Sequence, residues 1–177
     1  MNYKKWYKFV IYFILIALVM IFQITFLGNF NLFFKNFNLM LAILVLLIGL
    51  TDFKTVLVYL VWFGVLMDIY SSLPFGVFLM TFFLLAIILE ILFLNFFTNR
   101  SFYSLIIMGI IAVIIYNIFF LLISGFFYLI GASEFFMPDK LWLNMLYQLM
   151  NIIIILSFAF WLINKISRRF KPTFLKR

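Results

Sequence analysis

Long apolar runs, separated by polar stretches of only a few residues, dominate this chain. Apolar side chains make up 69% of the 177 residues, and charged side chains make up 10%. A water-soluble protein of this length covers its surface with polar side chains, whereas here the charges gather at the ends of the apolar runs, as a bilayer requires. We therefore predict an all-α integral membrane protein that crosses the bilayer several times.

Six apolar runs predict a six-transmembrane-helix bundle. The connections are too short to hold a second folded unit, so we expect one transmembrane domain that comprises residues 1–177. The approximate spans are residues 9–27, 32–50, 55–70, 75–97, 102–130 and 141–163. The second and third runs are solid only over Leu39 to Leu50 and Thr55 to Met67, and we expect them to form a hairpin of two short helices.

The basic residues predict the topology. Six spans place Lys35 and Lys140 on one side and eleven basic residues on the other: Lys4, Lys5, Lys8, Lys54, Arg100, Lys165, Arg168, Arg169, Lys171, Lys176 and Arg177. Positive charge accumulates on the cytoplasmic side of membrane proteins, so both termini are expected in the cytoplasm. The net charge of +8 then reflects topology and attraction to anionic membrane lipids, and no nucleic acid partner is expected.

Histidine and cysteine are both absent from the sequence. The chain therefore lacks the usual ligands of zinc, haem and copper, and it lacks the commonest general base and the thiolate nucleophile. We expect no catalytic residues, no metal site and no cofactor.

Gly64 and Asp68 are four residues apart, so on a helix they share one face. A glycine there lets a neighbouring helix approach closely beside the carboxylate. The sequence that follows, with Ser71, Ser72 and Pro74, is typical of a helix junction. Two interpretations of Asp68 stay open: it caps the next helix with help from Ser71 or Ser72, or it faces a partner or a solute.

Glu90 lies inside the fourth predicted span, and an intramembrane carboxylate is a candidate functional group. One interpretation is a hydrogen bond within the bundle, to Asn117 or Gln23, or protonation of the carboxyl group. The other is proton or ion handling, which needs a second titratable partner that the other spans do not supply.

Asn144, Gln148 and Asn151 form a polar stripe on the last predicted helix, because their spacing places them on a single face. Such amides form hydrogen bonds between membrane helices. The stripe either packs inside the bundle or contacts the transmembrane helix of a partner, and both interpretations turn it away from lipid.

The six spans, the charged turn between two short helices and the stretch from Trp62 to Ala86 resemble the bacterial rod shape-determining protein MreD family. The most specific part comprises Gly64-Val65-Leu66-Met67-Asp68 and Leu73-Pro74-Phe75-Gly76. Where that family usually has Pro-Asp or Pro-Asn before the second helix, this chain has Phe37-Asn38-Leu39.

The resemblance implies a bundle similar to the S components of energy-coupling-factor vitamin transporters, located in the bacterial cytoplasmic (inner) membrane. It implies a non-catalytic scaffold of the cell-elongation complex that binds an MreC-like single-span protein and, through it, peptidoglycan synthases and an MreB-like filament. The structural or partner-binding candidates are Gly64, Asp68, Pro74, Gly76, Glu90, Asn144, Gln148 and Asn151.

Two other functions are compatible with a helical bundle. A vitamin-binding S component resembles its relatives in carrying Ala-x-x-x-Ala on the first helix, and this chain offers only Ala17 there. A membrane enzyme with Asp68 and Glu90 as paired acids needs both carboxylates at one depth. The sequence instead places Asp68 near the outer face and Glu90 nearer the inner face.

Overall fold

The computed structural model describes residues 14, 17–26, 36–96, 102–132 and 140–169, with the backbone alone at positions 26 and 166–169. Helices and their connecting turns account for all of these residues, and no strand occurs among them. The first helix, α1, comprises α-helical residues 17–21 and the π-helical turn Phe22–Phe26. The others are α2 (Leu39–Leu50), α3 (Phe53–Tyr70), α4 (Val77–Phe96), α5 (Phe102–Leu129) and α6 (Leu141–Arg169).

Among the described residues, four helices are long and apolar enough to cross a membrane: α3, α4, α5 and the Leu141–Lys165 part of α6. The prediction of an all-α, multi-pass membrane protein is thereby confirmed. Helix α2 has 12 residues and is therefore about 18 Å long, shorter than a hydrocarbon core of about 30 Å. The predicted spans 9–27 and 32–50 lie partly outside the described residues.

Helix α3 is longer than the apolar run from Thr55 to Met67 that predicted it. It has 18 residues and a length of about 27 Å, because Lys54 at its start and Asp68 near its end are both helical. Lys54 is exposed, and the Asp68 carboxylate is hydrogen-bonded to the neighbouring helix α4. Neither polar side chain therefore ends the helix. Ser71, with an extended backbone, follows its last residue.

Helix α2 is the centre of the bundle. It contacts α3, α4, α5 and α6, and half of its residues are buried: Met40, Leu41, Ala42, Leu44, Val45 and Ile48. A helix that is apolar on all sides is stable only when it is surrounded, and the longer helices supply that surrounding.

The longer helices pack on one another in sequence order, α3 against α4, α4 against α5 and α5 against α6. Aromatic rings join α4 to α5, with the Phe82 and Tyr116 centroids 5.5 Å apart and the Phe78 and Phe120 centroids 5.4 Å apart. Gly109 of α5 lies under the Leu156 side chain of α6. This order makes α3 and α4 a hairpin, whose turn holds the candidate site.

Candidate functional site

The Asp68 carboxylate caps the first turn of α4 from the end of α3. Its Oδ1 accepts a hydrogen bond from the Phe78 backbone N–H at 2.8 Å, and its Oδ2 accepts one from the Leu79 N–H at 3.2 Å. The first N–H groups of a helix have no partner within the helix, and the helix dipole favours negative charge at that end. Asp68 is only 4% exposed, so water does not replace these bonds easily.

Gly64 lets α3 and α4 come close enough for this cap. A Cβ atom added at Gly64 would lie 2.5 Å from the Leu79 Cα atom, closer than real Cβ contacts allow. Because Gly64 and Asp68 share one face of α3, the glycine contacts the same residue, Leu79, whose N–H the carboxylate binds. The sequence prediction of a close helix approach at Gly64 agrees with this geometry.

The turn before α4 depends on Pro74 and Gly76. The Pro74 carbonyl accepts a hydrogen bond from the Val77 N–H at 3.4 Å, and the Gly76 carbonyl accepts one from the Met80 N–H at 2.9 Å. Gly76 has φ +107°, a backbone conformation that L side chains rarely adopt. We call Gly64, Asp68, Pro74 and Gly76 the α3–α4 junction.

Ser71 plays a different part from the one expected of it. The Ser71 hydroxyl donates to the Asp68 backbone carbonyl at 3.3 Å, and the carboxylate takes its hydrogen bonds from backbone N–H groups of α4. Of the two interpretations of Asp68, the geometry supports the cap. A carboxylate that is buried and accepts two hydrogen bonds is held in place, so Asp68 serves the fold of the α3–α4 junction.

Glu90 lies at the other end of the α3–α4 hairpin and is half-buried. It follows Leu79 by eleven residues, or about 16 Å along α4, so Asp68 and Glu90 do not form a carboxylate pair. The two hydrogen-bond partners expected for Glu90 are used elsewhere. Gln23 accepts from the Leu39 N–H at 3.0 Å, and Asn117 donates to Gln148 at 2.8 Å.

The polar stripe of α6 is used within the bundle. Gln148 accepts the hydrogen bond from Asn117 of α5, Asn144 accepts one from Asn36 at 3.2 Å, and Asn151 is only 1% exposed. These contacts place the stripe on the inner face of α6, as the packing interpretation of the sequence holds.

The sequence interpretation missed the structural role of two polar residues that bind backbone N–H groups at the start of α2. The Asn38 side chain accepts from the Leu41 N–H at 3.1 Å, and Gln23 of α1 satisfies the Leu39 N–H. An asparagine just before an apolar run is a recognisable N-cap signal, so Asn38 was predictable from sequence. The Gln23 contact joins two separate helices, and no local pattern predicts it.

In the described part of the chain, no three His, Cys, Asp or Glu side chains come together to form a metal site. The polar groups described above instead form hydrogen bonds with backbone groups or with one another. These hydrogen bonds hold neighbouring helices in register.

Substitution of Gly64 tests the close approach of α3 and α4. We expect Gly64→Ala to lower the free energy of unfolding by about 1–3 kcal/mol, because the added methyl group meets backbone atoms that cannot rotate away. Gly49→Ala is the matched control, since a Cβ atom there meets nothing within 4 Å; it should leave stability unchanged or raise it by up to about 1 kcal/mol. Reversible denaturation in mixed micelles measures both, and equal stabilities would contradict the close approach.

Substitution of Asp68 tests the cap. Asp68→Ala leaves two partly buried N–H groups without an acceptor, so we expect a loss of about 1–3 kcal/mol in the same assay. Asp68→Asn keeps one carbonyl acceptor and should lose less, about 1 kcal/mol. Asp52→Ala is the control, because Asp52 is exposed and its side chain makes no capping bond to α3. If Asp68→Ala is as stable as Asp52→Ala, the cap does not stabilise the junction.

Comparison with known proteins leaves the function to be argued from these residues. No protein-family model, no curated protein and no solved structure matches the chain. The sequence pattern and the geometry of the α3–α4 junction therefore carry the functional argument.

Proposed function

We propose that this protein is a non-catalytic membrane scaffold of the bacterial cell-elongation complex, with a role in rod-shape determination and in the regulation of lateral peptidoglycan synthesis. The observation that carries the proposal is the MreD-like α3–α4 junction. Its residues have separate structural uses that fit together: Gly64 brings the helices close, Asp68 caps α4, and Gly76 turns the chain. The motif thus specifies how a bundle is built, which suits a family of scaffolds.

The proposed architecture is a six-span bundle similar to an S component, with both termini in the cytoplasm. Its support is the eleven-to-two distribution of basic residues, together with the four described helices that are long enough to cross a membrane. In this arrangement α1 and α2 are the two spans that complete the four long ones. The α3–α4 junction then lies on the outer side of the cytoplasmic membrane.

The proposed partner surface is the outer face of α6. A smaller share of α6 is buried than of α3, α4 or α5, and its inner face is already used by the polar stripe. Large apolar side chains with helical spacing cover the outer face: Trp142, Leu146, Met150, Ile154, Phe158 and Trp161. Such a face suits the apolar transmembrane helix of an MreC-like protein. That protein would link the scaffold to peptidoglycan synthases and an MreB-like filament.

Topology is tested with single cysteines in a chain that has no natural cysteine. Ser133→Cys and Thr173→Cys lie outside the described residues, in the polar loop before α6 and in the basic tail. We expect an impermeant thiol reagent to label Ser133→Cys in intact cells and Thr173→Cys only after lysis. Labelling of Thr173→Cys in intact cells would overturn the six-span proposal.

The scaffold function is tested in the rod-shaped bacterium that encodes the protein. Depletion should make cells round, and the tagged protein should co-purify with an MreC-like partner. The double variant Met150→Ala/Phe158→Ala should lower that recovery several-fold, because it removes large side chains from the outer face of α6. Ile118→Ala/Leu122→Ala on the exposed surface of α5 is the matched control and should not lower it. If depleted cells keep their shape and vitamin uptake falls, the protein is an S component instead.

A further inference from the structure

A partly open apolar cavity lies at the end of α2 that faces Asp52. It has a volume of about 170 Å³ and is lined by residues of four helices, among them Gly49, Leu50, Phe93, Met108 and Ile163. The α3–α4 junction and the polar stripe contribute nothing to its lining. The cavity is therefore separate from the features described above.

The cavity exists because α2 is short and has glycine as its next-to-last residue. The chain leaves the helix after Leu50, while α4, α5 and α6 contribute Phe93, Met108 and Ile163 around the space that remains. Gly49 faces this space, and an added Cβ atom there would meet nothing within 4 Å. Helix packing therefore does not require glycine at position 49. Glycine also has a low helix propensity, so its presence there is not explained by the stability of α2. A larger side chain would fill the cavity.

The chemistry of the lining selects an apolar occupant. Apolar cavities of about 150 Å³ in proteins exclude water and accept hydrocarbon ligands. Leu50 and Ile163 both line the cavity and are exposed, so its mouth opens onto the outer surface of the bundle. In a membrane that surface is covered by lipid, and the neighbouring hydrocarbon is an acyl chain.

The residues at this end of the bundle place the mouth near the membrane surface and favour an anionic headgroup. Lys165 follows Ile163 by two residues, is exposed, and holds its Nζ atom 4.8 Å from the centre of the Trp161 ring. Tryptophan and lysine at the end of a span are typical of the interface between hydrocarbon and water. Lys54 is a second exposed base, four residues beyond Leu50, and Asp52 is the acidic residue of the same turn.

We propose that this cavity is a lipid site, in which the end of α2 accepts part of an acyl chain of an anionic phospholipid while the exposed basic residues of this end, Lys54 and Lys165, attract its headgroup. The positive charge of this end places the lipid in the cytoplasmic leaflet. The lipid fills the space that the short central helix leaves empty. The site does not depend on the proposed scaffold function.

Photoactivatable lipids test the site in the full-length protein. The protein is reconstituted into phosphatidylcholine vesicles that contain a small fraction of phosphatidylglycerol with a diazirine on one acyl chain. Irradiation and peptide mapping then locate the crosslinks. We expect labelling at Leu50, Met108 and Ile163 to exceed labelling at Ile118 and Leu122, which are exposed on α5, by at least fivefold. A phosphatidylcholine probe with the same diazirine should label the cavity several-fold less.

Variants separate the cavity from the general lipid contact of the bundle. Gly49→Phe fills the cavity and should reduce its labelling at least fivefold, while Gly49→Ala leaves most of the space and should retain the labelling. Lys54→Gln/Lys165→Gln should remove the preference for phosphatidylglycerol. Equal labelling of cavity and exposed positions in the unmodified protein would overturn the proposal even if Gly49→Phe did not fold. Unchanged labelling in folded Gly49→Phe, or equal labelling by both probes, would also overturn it.

Discussion

Helix ends that are buried in this bundle need hydrogen-bond acceptors that lipid does not provide. A backbone N–H group without an acceptor in a hydrocarbon environment is strongly unfavourable. At the starts of α4 and α2, the chain meets this constraint with side chains from a neighbouring helix or from just before the helix. Asp68 serves Phe78 and Leu79 at the start of α4, while Gln23 and Asn38 serve Leu39 and Leu41 at the start of α2. These contacts fix where both helices begin.

The positions of these caps determine the packing of the rest. Because Asp68 holds α4 at the end of α3, the two helices run as a close hairpin, and Gly64 leaves room for their backbones. Because α2 begins at a capped residue and has only twelve residues, it ends inside a ring of longer helices. The apolar cavity beside Gly49 is a consequence of that length. One short helix thus accounts for both the buried centre and the space at its end.

The functional proposal follows from where the polar side chains lie in the bundle. Asp68, Gln148 and Asn144 are engaged within the bundle, while the exposed side of α6 is apolar and broad. A protein arranged in this way has a surface suited to other membrane helices and lipids. Glu90 is half-buried and takes part in none of these hydrogen bonds. Its place at the end of the hairpin opposite the cap separates it from the other features.

Sequence by itself determined the helical membrane class, because long apolar runs are stable only as helices in a bilayer. It also predicted the close approach at Gly64, and it gave the cap as one of two interpretations of Asp68, since a glycine and a carboxylate on one helix face before a Ser-Pro turn form a local pattern. Only the tertiary structure decided which groups Asp68 binds, how far α3 extends, and that Gln23 and Asn117 serve helices other than the one carrying Glu90. Those pairings join residues that are distant along the chain. Only helix packing brings these residues together, so no local sequence pattern predicts the pairings.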